Sequence, residues 1–186
     1  MITGFTLIEN YITEYQEQEL LNFIYTQPWS NLILTRRIQQ YGFAYNYRSS
    51  TLEAAPPVPK LITSYLRDID TTTGIVTPWS KNNTQILINE YEPPRGIAAH
   101  VDAKIFGEQV MSLSLASDVA LTFARNNFSL DVFIPRRSLF ILEKEARYLW
   151  THAIKERKKD KCVNYFTSQT VKFTRNIRVS ITIRTV

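Results

Sequence analysis

His100 and Asp102 stand two residues apart, and His152 is the only other histidine in the chain. Alternate side chains of an extended strand share a face, so His100 and Asp102 would point the same way. Two imidazoles and one carboxylate form the facial ligand set that holds iron(II) and leaves positions open for oxygen and a substrate. A strand bearing the pair, followed by a distant third ligand, is how a barrel-like sheet would assemble that set. A His-x-Asp pair alone is more often incidental, so its companions decide the reading.

The first companion is the stretch Arg178 to Arg184, in which Arg178, Ser180, Thr182 and Arg184 share one face and Val179, Ile181 and Ile183 the other. By itself this is an ordinary half-buried strand. Its two arginines have backbones roughly 20 Å apart at a rise of ~3.3 Å per residue, and long side chains could converge across that gap on a short dicarboxylate. Arginine suits the task because its planar fork grips carboxylates in pairs and keeps its charge. Asn89 and Tyr91, also two apart, would add neutral donors for the same acid.

Asn89 and Tyr91, then His100 and Asp102, then His152, then Arg178 and Arg184 resemble, in order and in spacing within each motif, the AlkB family of iron(II)/2-oxoglutarate dioxygenases. The likeness runs from near Phe5 to Thr185 and includes Ser112 to Leu115, Ile134 to Leu139 and Ala146 to His152; these stretches are most similar to the branch whose oxygenase domain hydroxylates a modified wobble uridine in tRNA. The resemblance implies that His100, Asp102 and His152 hold Fe(II), that 2-oxoglutarate chelates it, and that O2 takes the remaining position. It also implies that Arg178 and Tyr91 take the distal carboxylate of 2-oxoglutarate, with Arg184 and Asn89 near its metal-bound end. The expected activity is oxidation of a base in RNA, with hydroxylation of a tRNA uridine modification its sharpest form. The alternatives are oxidative demethylation of N-alkylated bases in DNA or RNA, a non-catalytic RNA-binding relative, and a protein-side-chain oxygenase.

Three departures bear on the substrate. Repair-type members carry an acid two positions after the metal-binding aspartate, and here that position is Lys104. A lysine there disfavours a cationic alkylated base and fits a neutral uridine better. Pro94 stands where relatives often have glycine, which stiffens the turn before His100. The tRNA hydroxylase branch also carries an RNA-recognition domain and a methyltransferase domain; neither fits within 186 residues, so a partner would have to supply tRNA selection or methyl transfer.

The elements that must position these groups follow from the rest of the chain. At 186 residues, 44% hydrophobic and 21% charged, the composition is that of one soluble globular domain spanning 1–186. A net charge of +5 suits a nucleic-acid partner without establishing one. Cys162 is the single cysteine, which excludes an internal disulfide and a cysteine-based zinc site. No apolar run reaches the length of a membrane span and no signal pattern opens the chain, so an intracellular setting, cytoplasmic or nuclear, is expected.

Phe5 to Ile8 reads as a short strand, and Thr13 with Gln16 as a capping box opening a helix whose apolar side is Leu20, Leu21 and Ile24 and which Pro28 closes. Residues 30–50 interleave Arg36, Arg37, Tyr41, Tyr45 and Tyr47, a mixture that can hold a phosphate and stack on a base. By the resemblance this is a nucleotide-facing lid, with Arg36, Arg37, Tyr41, Tyr45 and Lys104 as substrate candidates. Ala54 to Pro59 is a stiff connector. Leu61, Ile62, Tyr65, Leu66 and Ile69 mark a second helix, ended by Thr71 to Gly74. Strands are then expected at Gln85–Tyr91, Ile97–Asp102, Val110–Ala116, Val119–Ala124, Leu130–Ile134, Ser138–Leu142, Tyr148–Ile154 and Ile177–Thr185. Lys155 to Lys161 reads as a solvated charged loop able to touch phosphates. Helices first and strands after predict an α+β fold, a double-stranded β-helix (jelly-roll) core with N-terminal helices packed on one sheet.

Overall fold

Alternation along the strands divides the molecule into two β-layers with a helical layer behind one of them. A computed structural model of the chain describes residues 2–46, 49–65 and 83–186. The chain begins with β1 (Phe5–Ile8) and α1 (Glu14–Thr26), then β2 (Arg37–Tyr41), β3 (Phe43–Asn46) and β4 (Thr51–Ala54). A helical stretch, α2, is described over 60–65. There follow β5 (Thr84–Tyr91), β6 (Ile97–His100), β7 (Val110–Leu115), β8 (Val119–Arg125), β9 (Phe128–Ile134) and β10 (Leu139–Leu142). The short helix α3 (Lys144–Tyr148) leads into β11 (Thr151–Ile154), β12 (Lys159–Val163), β13 (Thr170–Thr174) and β14 (Arg178–Thr185).

One sheet runs β1-β10-β7-β14-β5-β2 and the other β13-β12-β9-β8-β11-β6, while β3 and β4 form a separate hairpin. In the first, β14 lies between β7 and β5 and is antiparallel to both. Its Val179, Ile181 and Ile183 join Ile86, Ile88, Leu113 and Leu115 beneath Ile12, Leu20 and Ile24, which seats α1 on that face. Each fully buried side chain of this kind contributes ~1.5–3 kcal/mol. The opposite face meets the second sheet, where Phe5, Val110 and Phe140 pack with Leu121, Phe123 and Val132. This is the expected jelly-roll core, with helices on one sheet.

The capping box also forms as expected: the Thr13 N–H donates to Gln16 Oε1 at 2.8 Å and the Gln16 N–H to Thr13 Oγ1 at 3.2 Å. In the second helix, Ile62 is buried, and Leu61 and Tyr65 pack against the core. Leu66, Ile69 and the Thr71–Gly74 stop lie outside the described residues, as does Tyr47.

Two expectations need correction. The segment expected as a strand from Tyr148 begins instead with α3, and the strand starts at Thr151. A helical turn there sinks Ala146 and Arg147 together. The charged run is not wholly a loop, because β12 begins at Lys159. Alternation turns Lys159 and Lys161 outward and buries Asp160 and Cys162. Asp160 accepts from Arg175 Nε at 2.6 Å and from Arg157 Nε at 2.5 Å, so the inward charge is paired.

Candidate active site

His100 and His152 are cross-strand partners in the β6–β11 pairing, with ring centroids 4.3 Å apart. Gly96 makes that pairing close: a Cβ there would run into the Ile154 carbonyl. Asp102 follows the end of β6 and brings Oδ2 to 3.5 Å from His152 Nε2. One ligand atom from each of the three lies within 4.8 Å of the others.

The hydrogen bonds suit a cation. His100 Nδ1 donates to the Ala98 carbonyl, which can only accept, at 2.8 Å, and this leaves Nε2 as the ring nitrogen available to a metal. Burial holds the His152 imidazolium down to about 4, against the pull of Asp102. Burial would raise the Asp102 carboxyl, but Arg184, the two histidines and Arg147 outweigh it and hold the group at about 2. Near neutral pH the cluster therefore offers a neutral imidazole at His152 and a carboxylate at Asp102, forms that coordinate a metal without first losing a proton.

These groups open on a cavity of about 410 Å³ between the sheets, lined by Asn89, Tyr91, Arg178 and Arg184 and by apolar Leu87, Ile97, Leu121 and Phe140. The Arg178 side chain lies over the Tyr91 ring at 5.7 Å and donates from Nε to Ser114 Oγ at 3.0 Å. Burial lowers its guanidinium to about 10, and no carboxylate forms a salt bridge with it among the described residues. Arg184 donates to Asp102 Oδ1 at 2.5 Å and to Gln85 Oε1 at 3.0 Å, and stacks over Phe106 at 4.6 Å. The two arginines thus mark different ends of one cavity, one beside the metal-ligand cluster and one without an acid. Asn89 Oδ1 accepts from Arg36 Nε at 2.8 Å.

The substrate candidates divide. Arg36 and Tyr45 line the cavity, Tyr45 with its ring 5.5 Å from that of Phe106. Arg37 and Tyr41 do not. Arg37 is fixed to buried Glu90 at 2.5 and 3.0 Å and lies over Trp29 at 4.6 Å. Tyr41 packs in the core under α1, its hydroxyl donating to Gln39 Oε1 at 3.0 Å. Lys104 is exposed and is not among the cavity walls. Sequence reasoning missed Gln85, Phe106 and Ser114. A polar residue every second position along buried β7 was the available signal for Ser114; nothing local marked the other two.

The chain belongs to the 2OG-Fe(II) oxygenase superfamily, whose profile matches residues 4–184. Superfamily cofactors are iron(II), 2-oxoglutarate and O2, and the His100–Asp102–His152 cluster fits the iron. Within the superfamily the chain is an AlkB-type oxygenase. It is 34% identical over 191 residues to uncharacterized protein L905 of Acanthamoeba polyphaga mimivirus, spanning all of this chain and 86% of that one. It is 31% identical over 170 residues to tRNA (carboxymethyluridine(34)-5-O)-methyltransferase ALKBH8 of Mus musculus, spanning 84% of this chain and only 25% of that protein. The solved structure of OsALKBH1 shares the fold, with a TM-score of 0.74 over 97% of this chain and 96% of that one at 15% identity. No helix among the described residues is long and apolar enough to cross a membrane.

Proposed function

We propose that this oxygenase hydroxylates a modified uridine in tRNA, with His100, Asp102 and His152 holding iron(II). The observation that carries the site assignment is a three-ligand cluster sharing one cavity with a buried guanidinium that has no acidic partner among the described residues. Bound iron with 2-oxoglutarate supplies the oxidising power of O2 at a C–H bond. Arg178, backed by Ser114 and Tyr91, neutralises the distal carboxylate of 2-oxoglutarate. Asn89 and Arg184 steady its metal-bound end, Arg184 also keeping Asp102 turned toward the metal. The apolar walls at Leu121, Ile97 and Phe140 limit water beside the reacting carbon. Residues 30–50 act as the nucleotide-facing lid of a single oxygenase domain spanning 1–186, with Arg36 and Tyr45 as its contacts.

Similarity to a protein named for carboxymethyluridine in tRNA supports the choice of substrate. So does the outward face of the β12–β13 hairpin, where Lys161 lies directly opposite Lys172 and both are exposed. Such a face fits a phosphate backbone. The chain spans a quarter of ALKBH8, and our reading includes a separate tRNA-binding or methyltransferase partner.

Incubation with total tRNA, iron, ascorbate and 2-oxoglutarate, followed by nucleoside mass spectrometry, tests the proposal. A hydroxylated uridine derivative is expected. Formaldehyde with no hydroxylated nucleoside would move the assignment to demethylation, and absence of succinate formation dependent on iron and His152 would leave an RNA-binding relative.

A further inference from the structure

The structure assigns Arg147 as a positioning residue that holds the Asp102–Gly107 loop, and through it both Asp102 and the Phe106 platform beneath Arg184; this rests on the metal-site reading above. Arg147 is among the most deeply buried side chains, 1% exposed, yet it forms no salt bridge with an acid among the described residues. Its donors go to four backbone carbonyls of one short loop. Nη1 donates to Asp102 O at 2.8 Å, Nη2 to Ala103 O at 2.9 Å and Phe106 O at 3.2 Å, and Nε to Gly107 O at 3.2 Å.

A buried cation is costly unless its surroundings are arranged for it. If filling volume were its only use, an apolar side chain would serve as well. What the fork adds is shape: one rigid plane fixes four carbonyls that would otherwise turn independently. The far end of the loop is pinned as well, the Gly107 N–H donating to the Thr185 carbonyl at 2.9 Å.

The contacts close into a ring. Arg147 sets the loop, the loop sets Phe106, Phe106 supports the Arg184 guanidinium at 4.6 Å, and Arg184 donates to Asp102 at 2.5 Å. Arg147 also sits on α3, directly upstream of β11, so one segment delivers both the clamp and His152. Removing the fork should free the direction of the Asp102 carboxylate before any metal arrives.

The test compares Arg147→Lys and Arg147→Met with wild type, using Arg125→Met as a control for loss of a nearby half-buried ion pair, that of Arg125 with Glu145. Mn(II) binding is titrated by electron paramagnetic resonance without 2-oxoglutarate, and amide hydrogen exchange is followed in the metal-free protein. Both Arg147 variants are expected to bind Mn(II) about 10–100-fold more weakly, the usual effect of losing a group that orients a ligand. The Phe106 and Gly107 amides should lose protection while those of β8 and β9 keep it, and added guanidinium should restore binding to Arg147→Gly. Arg147→Lys keeps the charge and most of the volume, so it is read alone if the methionine variant does not fold. Mn(II) affinity within twofold of wild type in a folded variant overturns the inference. His152→Ala binding Mn(II) as tightly as wild type would instead overturn the metal site itself.

Discussion

Arg178 and Arg184 share a strand face but meet different surroundings, and their substitutions should separate accordingly. Arg178 has Ser114 and the Tyr91 ring as neighbours and no acid among the described residues, so its charge is available to a diacid. Arg178→Met should raise the dissociation constant for 2-oxoglutarate about 10–100-fold, the equivalent of ~1.5–3 kcal/mol for a bond to a charged group, and leave Mn(II) affinity nearly unchanged. Calorimetric titration of each ligand checks this. Arg184→Met should damage both affinities, because its guanidinium also touches Asp102. At this scale the motif residues were readable from spacing, since strand alternation alone brings Asn89 with Tyr91 and Arg178 with Arg184 to one side. Arg37 and Tyr41 were not readable. Which face of β2 looks toward the cavity depends on its pairing with β5, where Arg37 lies opposite Glu90. Arg147 was beyond reach too, because its partners lie some forty residues away.

At the scale of elements, the β12–β13 hairpin exposes Lys161 and Lys172 on one face and buries Asp160 on the other. Outside, Lys161→Glu with Lys172→Glu should weaken tRNA binding and reduce its salt dependence, each lost phosphate contact lowering the slope by about 0.7–0.9. Turnover of 2-oxoglutarate without tRNA should stay at the wild-type level, and fluorescence titration at several salt concentrations reads the effect. Inside, burial raises the Asp160 carboxyl, but hydrogen bonds from Arg175, Arg157 and Ala120 outweigh it and leave it below the ordinary carboxylate range. A depressed folded value means that this stabilisation is present above the unfolded value, about 3.9, and is lost as pH falls through the folded one. Urea denaturation between pH 6 and pH 2 (about that span) should show wild type losing stability toward acid, and Asp160→Asn starting lower with a flatter profile. The unbroken run of charged residues from Lys155 to Lys161 hid this strand, because its alternation is legible only once Asp160 is seen to have inward partners. The α1 capping box, by contrast, was legible because both its bonds are local; Thr13→Ala should cost about 1 kcal/mol, read as a lower Tm.

Over the whole molecule, both layers contribute to one cavity, so ligands that bridge them should report on global stability. Mn(II) with 2-oxoglutarate should raise Tm, corresponding to ~2.7 kcal/mol when ligand exceeds its dissociation constant a hundredfold, and His152→Ala should remove most of that rise. Differential scanning fluorimetry suffices to see it. The jelly-roll class was legible because helices precede a succession of short alternating strands. The order of strands across each sheet was not, since that order depends on pairings between distant segments, such as β1 with β10 and β6 with β11.

The central place of β14 ties proofreading of the fold to the chemistry. Its neighbours fix it residue by residue, Arg178 opposite Tyr91 and Arg184 opposite Gln85. A slip by a single residue would thrust both guanidinium groups into the isoleucine layer under α1 and turn Val179 and Ile183 toward the cofactors. On the proposed reading of the site, a mis-threaded chain would thus forfeit cohesion and cosubstrate capture together.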